Sequence, residues 1–220
     1  MAMNHAAISH ARPAPRARKQ RLSKTTNARD TLTGFGHGVE LDILTFGQFS
    51  IMDAVEAVLD LTGPADITIS TWTAAAADLT RTAQHLRDAR MRSLRMVVDR
   101  SFLTRQPAYA ATCLELFGEA AIRTTRVHAK FVLVHNDDWQ ITMRTSMNLN
   151  ENPRLEYLQI CDDAELCAWY SQIVDEIFTE EPPGLQGARG TPELNAMRTI
   201  PGTATVISAT PAAAIRVGPK

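Results

Sequence analysis

The chain has 220 residues, 45% of them hydrophobic, and a formal net charge of −1, which predicts a single domain with one substantial core. No apolar run approaches the roughly 18 residues of a membrane span, and the first residues lack a hydrophobic segment of secretory type. These observations predict no membrane partner. Its cysteines, Cys113, Cys161 and Cys167, are odd in number and form no C-x-x-C pair, so neither a zinc knuckle nor a disulfide framework is indicated and a cytoplasmic protein is predicted.

The first 37 residues are predicted to form a basic, disordered arm. Residues 1–30 contain seven basic side chains and one acidic side chain, interspersed with alanines and two prolines. The rest of the chain is left with 16 basic and 23 acidic residues. Such a segment favours disorder. It binds nucleic-acid phosphates by releasing counterions, or it serves only as a solubilising tail.

Strands and helices alternate from residue 38 to residue 125. Alternating apolar residues predict a strand over 38–46, and Ser50 followed by Asp53 predicts the start of a helix that runs to Leu61. Trp72, at the end of a predicted strand, is either a core residue or a surface on which a base stacks. Further elements follow from the same patterns, namely strands over 66–71, 94–99 and 122–125 and helices over 74–90 and 108–117.

A predicted hairpin then collects polar side chains. Residues 127–135 (VHAKFVLVH) predict a strand on which His128 and Lys130 share one face, because strand side chains alternate. After a polar turn, a second strand over 139–145 runs back and places Ser146 and Asn148 near its end. An imidazole, an ammonium, a hydroxyl and a carboxamide are therefore expected to lie together. Glu156 opens the next predicted strand.

These groups suit cleavage of a phosphodiester without a metal ion. A neutral imidazole is a nucleophile toward phosphorus, and a lysine and a carboxamide stabilise the negative charge that builds on the phosphate oxygens. The set H-x-K, S-x-N and a following Glu resembles the HKD signature of the phospholipase D superfamily. The order of elements over 65–160 also resembles one half of that fold. The resemblance implies an α/β domain with a mixed β-sheet flanked by helices.

The resemblance further implies a covalent phosphohistidine intermediate and a role for each residue of the motif. His128 is the expected nucleophile or acid, Lys130 and Asn148 the phosphate clamp, and Ser146 a supporting hydrogen-bond donor. Glu156 is expected to orient a histidine. The resemblance implies no cofactor and no metal ion.

Two positions depart from the family pattern. His135 stands where the family usually has Asp, with Asp137 as a candidate replacement, and Thr145 stands where the family usually has Gly. The chain also contains only one H-x-K motif, because the other histidines lack a lysine two residues later; they are His5, His10, His37, His85 and His135.

A single motif predicts a homodimer. In the family two motifs face each other, so that one histidine attacks while the other protonates the leaving oxygen, and a two-fold dimer supplies the second motif. Short, single-motif members are nucleases, whereas the lipases carry two motifs in a longer chain. The length of this chain therefore favours a nuclease.

The domain is predicted to span residues 38–180 and to close with a helix over 164–178. From residue 181 the composition turns to Pro, Gly, Ala and Thr, which predicts a mostly irregular tail over 181–220 with one candidate strand at 203–208.

The sequence thus predicts a metal-independent phosphodiesterase, in the first place a nuclease that cleaves DNA or RNA as a homodimer. A second hypothesis is a catalytically degenerate module of the same fold that binds nucleic acid or protein. Action on phospholipids is a third, which the short chain and the lack of membrane-facing apolar segments disfavour.

Overall fold

The computed structural model describes residues 28–150, residues 154–186, Leu194 and the backbone of three short strands near the amino terminus. The candidate strand over 203–208 lies outside the described residues. In chain order, the strands and helices are β1 Ile8–His10, β2 Ala17–Arg18, β3 Arg21–Leu22, α1 Ala28–Thr31, β4 Val39–Thr45, α2 Ile51–Thr62, β5 Ala65–Thr71, α3 Ala76–Arg87, β6 Met91–Asp99, α4 Phe102–Arg105, α5 Pro107–Phe117, a 3₁₀ turn Glu119–Ala121, β7 Ile122–Thr125, β8 Lys130–His135, β9 Gln140–Thr145, β10 Glu156–Asp162 and α6 Ala164–Glu180.

The strands form one mixed sheet. Their order is β3-β1-β4-β10-β9-β8-β5-β6-β7, and β2 also pairs with β4. Strands β5, β6 and β7 are parallel to one another and are connected through helices. Strand β8 is antiparallel to β5, and β8, β9, β10 and β4 are antiparallel neighbours. The predicted fold class, an α/β domain with a mixed sheet flanked by helices, is confirmed.

Helices cover both faces of this sheet. Helices α2, α3 and α5 contribute to the main core on one face, and α6 packs on the other against β7, β8 and β9. Strand β8 shows both environments, because Val132 and Val134 belong to the main core while Phe131 and Leu133 pack with α6. In the part of the chain that the structure describes, no helix is both long and apolar enough to cross a membrane.

Helix α2 begins at the predicted position because Ser50 and Asp53 form a capping box. The Ser50 hydroxyl accepts a hydrogen bond from the Asp53 N–H at 3.2 Å, and the Asp53 carboxylate accepts one from the Ser50 N–H at 2.7 Å. The helix ends at Gly63, whose φ of 71° is a backbone conformation that glycine adopts without strain.

The described part of the predicted arm over residues 1–37 differs from the prediction. The backbone of β1, β2 and β3 pairs within the sheet. Ala28, Leu32 and Phe35 are buried, and the Phe35 ring stacks on Trp139 with centroids 6.3 Å apart. These three residues have the i, i+4, i+7 spacing of an apolar helical stripe, which the basic composition around them obscured. Packed chain therefore starts before residue 38.

The chain that follows α6 covers the outer edge of β7. Arg123 forms an isolated bridge with Pro183, and the N–H of Gly184 lies 2.9 Å from the carbonyl oxygen of Ile122. Leu185 is buried in the main core. Residues 181–186, assigned to the irregular tail from sequence, are therefore part of the packed domain.

Replacing Ser50 by alanine should lower the free energy of unfolding by about 1 kcal/mol, because the capping N–H groups of α2 lose their side-chain acceptor. Urea denaturation followed by circular dichroism measures the change. Ala75 precedes α3 without a side-chain cap, so Ala75→Ser is the matched variant and should shift the stability in the opposite direction. A Ser50→Ala variant as stable as the parent would contradict this role of the capping box.

Candidate active site

One end of the sheet brings the predicted site residues into one region. The carboxyl ends of β5, β6 and β7 meet there because these strands are parallel. Phe131 in β8 pairs with Ser70 near the end of β5, Lys130 pairs with Thr145 at the end of β9, and Thr145 pairs with Leu158 in β10. The start of β8, the end of β9 and the start of β10 thus lie at the strand ends where open α/β sheets commonly bind ligands.

His128 lies in a short loop before β8 and not within the strand, which corrects the strand predicted from residue 127. Two side chains, rather than a neighbouring strand, form hydrogen bonds with the backbone of this loop. The Asp99 carboxylate at the end of β6 accepts a hydrogen bond from the N–H of Val127 at 3.2 Å, and the Ser70 hydroxyl donates to the carbonyl of Ala129 at 2.9 Å. His128 itself is exposed, so its imidazole is open to a substrate.

Lys130 is the first residue of β8 and lies against His128. Its Nζ is 3.4 Å from His128 Nδ1 and donates to the His128 carbonyl at 2.9 Å. The pKa of Lys130 is lowered by partial burial of the ammonium, an effect that the Glu156 carboxylate opposes. The imidazole and the ammonium therefore lie together through a direct contact rather than through strand alternation.

Ser146 and Glu156 are joined by a hydrogen bond where β9 ends and β10 begins. The Ser146 hydroxyl donates to Glu156 Oε2, and the N–H of Tyr157 donates to the same hydroxyl at 2.9 Å. Among the described residues, Glu156 makes no hydrogen bond with His128. The orienting role assigned to Glu156 from the resemblance stays a prediction.

Asn148 lies on a segment that crosses from β9 to the end of β5. The N–H of Leu149 donates to the carbonyl of Thr73 at 3.2 Å, and the N–H of Ala75 donates to the carbonyl of Leu149 at 2.7 Å. Met147 and Leu149 are buried, and Asn148 between them is half-buried. Its Oδ1 is shielded from solvent and has no hydrogen-bond partner within the described ranges. The carboxamide therefore keeps unused hydrogen-bonding capacity.

The departure at His135 lies far from these groups. His135 ends β8, and five residues of extended strand, roughly 16 Å, separate it from Lys130. The turn beyond it is formed by the Asn136 side chain, whose Oδ1 accepts from two backbone N–H groups at 3.0 Å each. Asp137 is exposed on this turn, at the opposite end of the hairpin from the imidazole.

Thr145, which stands where the family usually has Gly, forms hydrogen bonds with the backbone around the site. The Thr145 hydroxyl donates to the carbonyl of Tyr157 at 2.6 Å and accepts from the N–H of Met147 at 3.0 Å. These bonds fix the backbone on both sides of Ser146, so a residue other than glycine is accommodated here.

Three side chains near His128 were not anticipated from sequence, namely Asp99, Ser70 and Arg105, whereas Trp72 was a candidate for stacking. Asp99 and Ser70 hold its loop, as described above. Trp72 lies beside its imidazole, with ring centroids 5.6 Å apart and ring planes at 56°, and the Arg105 guanidinium carbon is 3.4 Å from the Trp72 centroid. No local sequence signal indicates these contacts, because they join segments that are far apart in the chain.

The site combines an exposed imidazole, a half-buried ammonium, a hydroxyl bonded to a carboxylate, and a carboxamide. Such a set supports nucleophilic attack on an anionic centre with stabilisation of the charge that builds there. Within the described residues, no group of three or more His, Cys, Asp or Glu side chains is placed to hold a metal ion.

No protein-family model and no curated protein matches the sequence. Among solved structures, the chain is similar to polyphosphate kinase from Porphyromonas gingivalis at 13% identity and a TM-score of 0.48, over 68% of this chain and 27% of that one. It is also similar to Nuc from Salmonella typhimurium, a phospholipase D family member, at 14% identity and a TM-score of 0.42, over 63% of this chain and 91% of that one. The third is NucT from Helicobacter pylori, at 10% identity and a TM-score of 0.46, over 68% of this chain and 99% of that one. The chain spans about a quarter of the length of the polyphosphate kinase.

Glu156→Gln should lower the pKa of Lys130 further, because it removes the carboxylate that favours the ammonium and leaves the burial that disfavours it. An NMR titration of the Lys130 side chain measures this pKa. Glu165→Gln, an exposed change in the first turn of α6, is the charge-matched control and should leave the pKa of Lys130 unchanged. A Lys130 pKa that stays constant or rises in Glu156→Gln would show that this carboxylate does not act on the ammonium.

Proposed function

We propose that this protein is a phosphodiesterase of the phospholipase D type that cleaves nucleic acid through a phosphohistidine, without a metal ion, as a homodimer. The observation that supports this most directly is the contact between the exposed His128 imidazole and Lys130, beside the bonded pair Ser146 and Glu156. These groups come from three chain segments and meet at one end of the sheet.

The proposed reaction has two steps. An imidazole nitrogen of His128 attacks phosphorus, a P–N bond forms, and the P–O bond to the leaving oxygen breaks as that oxygen takes a proton from a second imidazole. Water then attacks phosphorus, the P–N bond breaks, and the second imidazole takes the proton of the water. Lys130 and Asn148 bind the non-bridging oxygens, where charge increases in both transition states.

The second imidazole is proposed to be His128 of the partner subunit. A nucleophile and a leaving oxygen lie on opposite sides of phosphorus in an in-line displacement, so one imidazole cannot both attack and protonate the leaving group. His128 is the one histidine of the sequence that begins an H-x-K motif, and it is exposed at the surface. A two-fold axis beside it would bring both copies to one phosphate.

The charge along the chain supports a nucleic-acid substrate. Residues 1–30 carry seven basic side chains, which attract phosphates of DNA or RNA. The remainder is acidic, so binding outside the arm is proposed to be confined to the site. All three cysteines are buried thiols, and burial raises the pKa of the Cys113 thiol to about 12. Buried thiols are compatible with the reducing cytoplasm, where we propose that the enzyme acts.

One observation favours a second function, a module that binds nucleic acid or protein without cleaving it. Glu156 bonds to Ser146 and leaves His128 without the carboxylate contact that the resemblance implies. An imidazole that is not oriented is a weaker nucleophile. Binding of nucleic acid with no turnover under any condition would select this function.

His128→Ala should abolish cleavage of plasmid and single-stranded DNA in EDTA at low salt, by about 10³-fold or more, because the nucleophile is lost. His135→Ala removes an imidazole from the far end of β8, the strand that follows the His128 loop, and should cleave like the parent. Circular dichroism checks that both variants are folded. Cleavage that needs a divalent metal and survives His128→Ala would contradict the phosphohistidine mechanism.

Mixing the parent protein with His128→Ala should lower activity more than dilution does. If each site needs two imidazoles, equal amounts leave about a quarter of the dimers active after subunits exchange, rather than half. The activity is measured against a series of mixing ratios, with His135→Ala as the partner in the control series. A linear fall with the fraction of parent subunits would show that each copy of His128 acts independently, and about three quarters of the activity at equal amounts would show that one copy per dimer suffices.

A further inference from the structure

Arg105 is stacked on Trp72, and Trp72 lies beside His128 with the two rings tilted. The Arg105 guanidinium carbon is 3.4 Å from the centroid of the Trp72 ring, and the Trp72 centroid is 5.6 Å from that of the His128 ring. The Arg105 guanidinium carbon and the centroid of the His128 ring are therefore no further apart than the sum of these two distances. Arg105 is exposed, whereas Trp72 is half-buried.

The guanidinium of Arg105 forms no hydrogen bond and no ion pair within the described ranges. Arg123 provides a comparison in the same protein, since its guanidinium lies 4.5 Å from the centroid of the Phe178 ring. The donors of Arg123 are used by backbone carbonyls, among them that of Ile122 at 2.8 Å. Arg123 is therefore a structural arginine, and Arg105 is a stacked cation whose donors no described residue uses.

Stacking leaves these donors in the right place for an anion. The face of the guanidinium contacts the ring, while its N–H groups point outward in the plane of the group, where they can bind a phosphate through two hydrogen bonds. A stacked guanidinium also loses less freedom when it binds, because its orientation is already fixed.

The segment that carries Arg105 is anchored to the segment that carries Trp72. Phe102, in the same short helix α4, is fully buried. The hydroxyl of Thr73 donates to the side-chain oxygen of Gln106, which joins the residue after Trp72 to the residue after Arg105. The segments that carry Arg105 and Trp72 are therefore fixed relative to each other.

We propose that Arg105, held on Trp72, binds the phosphate next to the scissile one, and that the substrate of this site is a nucleic-acid strand rather than an isolated phosphodiester. The inference rests on the proposed function, which places the scissile phosphate at His128. In one strand, successive charges advance about 3.4 Å along the helix axis, so a neighbouring phosphate lies within reach of a cation stacked beside the nucleophile. A phospholipid offers a single diester and no such neighbour.

The test compares two substrates that differ in the neighbouring phosphate, a single-stranded oligodeoxynucleotide and bis(4-nitrophenyl) phosphate. Arg105→Gln should lower kcat/KM for the oligonucleotide by about 10- to 100-fold, the usual range for a lost charge-assisted hydrogen bond. Hydrolysis of the small diester should stay within about twofold of the parent. Arg92→Gln, an exposed change at the other end of β6, removes the same charge and should leave both substrates unaffected.

Two outcomes would overturn the inference. An equal loss on both substrates would mean that Arg105 acts on the reacting centre or on the folding of the site. No loss on either substrate would mean that it does not touch the strand.

A binding measurement distinguishes failure of this inference from failure of the proposed function. Oligonucleotide affinity is measured in the His128→Ala background, with and without Arg105→Gln, over a series of salt concentrations. Loss of the arginine should weaken binding about 10-fold and make the dependence of log Kd on log salt shallower by about 0.7. If the parent cleaves neither substrate, the proposed reaction fails, and this affinity change alone then supports the phosphate contact or, by its absence, overturns it.

Discussion

The register of the antiparallel strands β8, β9 and β10 is the constraint on which the site depends. It sets Lys130 opposite Thr145, and Thr145 opposite Leu158, so the lysine, the Ser146 hydroxyl and the Glu156 carboxylate arrive at one end of the sheet. A slip by one residue would turn every side chain to the other face. Burial on both faces prevents such a slip, because the inner residues of β8 alternate between two cores. Val132 and Val134 pack into the main core, and Phe131 and Leu133 pack against α6.

The polar groups of the site differ in exposure, and this difference suits divided roles. His128 is exposed and held by its backbone, so its ring is free to reach a substrate while its position is fixed. Lys130 is half-buried, which strengthens its attraction for an incoming anion because less water screens it.

Much of the fold could be predicted from local patterns, and much of the site could not. Alternation and capping indicated the central strands and the start of α2, because each depends on residues close together in the chain. The loop at His128 escaped prediction, since Val127 and Ala129 bond to side chains from β6 and β5 instead of to a neighbouring strand. Arg105 in α4 escaped prediction for the same reason, because its ring partner Trp72 follows β5, far away in the chain. Packing of Phe35 was masked by the basic residues that precede it.

The covered edge of β7 has a consequence for the solubility of the domain. An open edge strand presents unpaired N–H and C=O groups on which another chain can add a strand, the first step of aggregation. Here Pro183 forms an isolated β-bridge with Arg123, and the Gly184 N–H donates to the carbonyls of Glu119 and Ile122. A proline offers no N–H to a further strand, so the segment ends the sheet instead of extending it. Fragments of this protein that stop at the end of α6 would uncover β7, and boundaries set beyond residue 186 would keep it shielded.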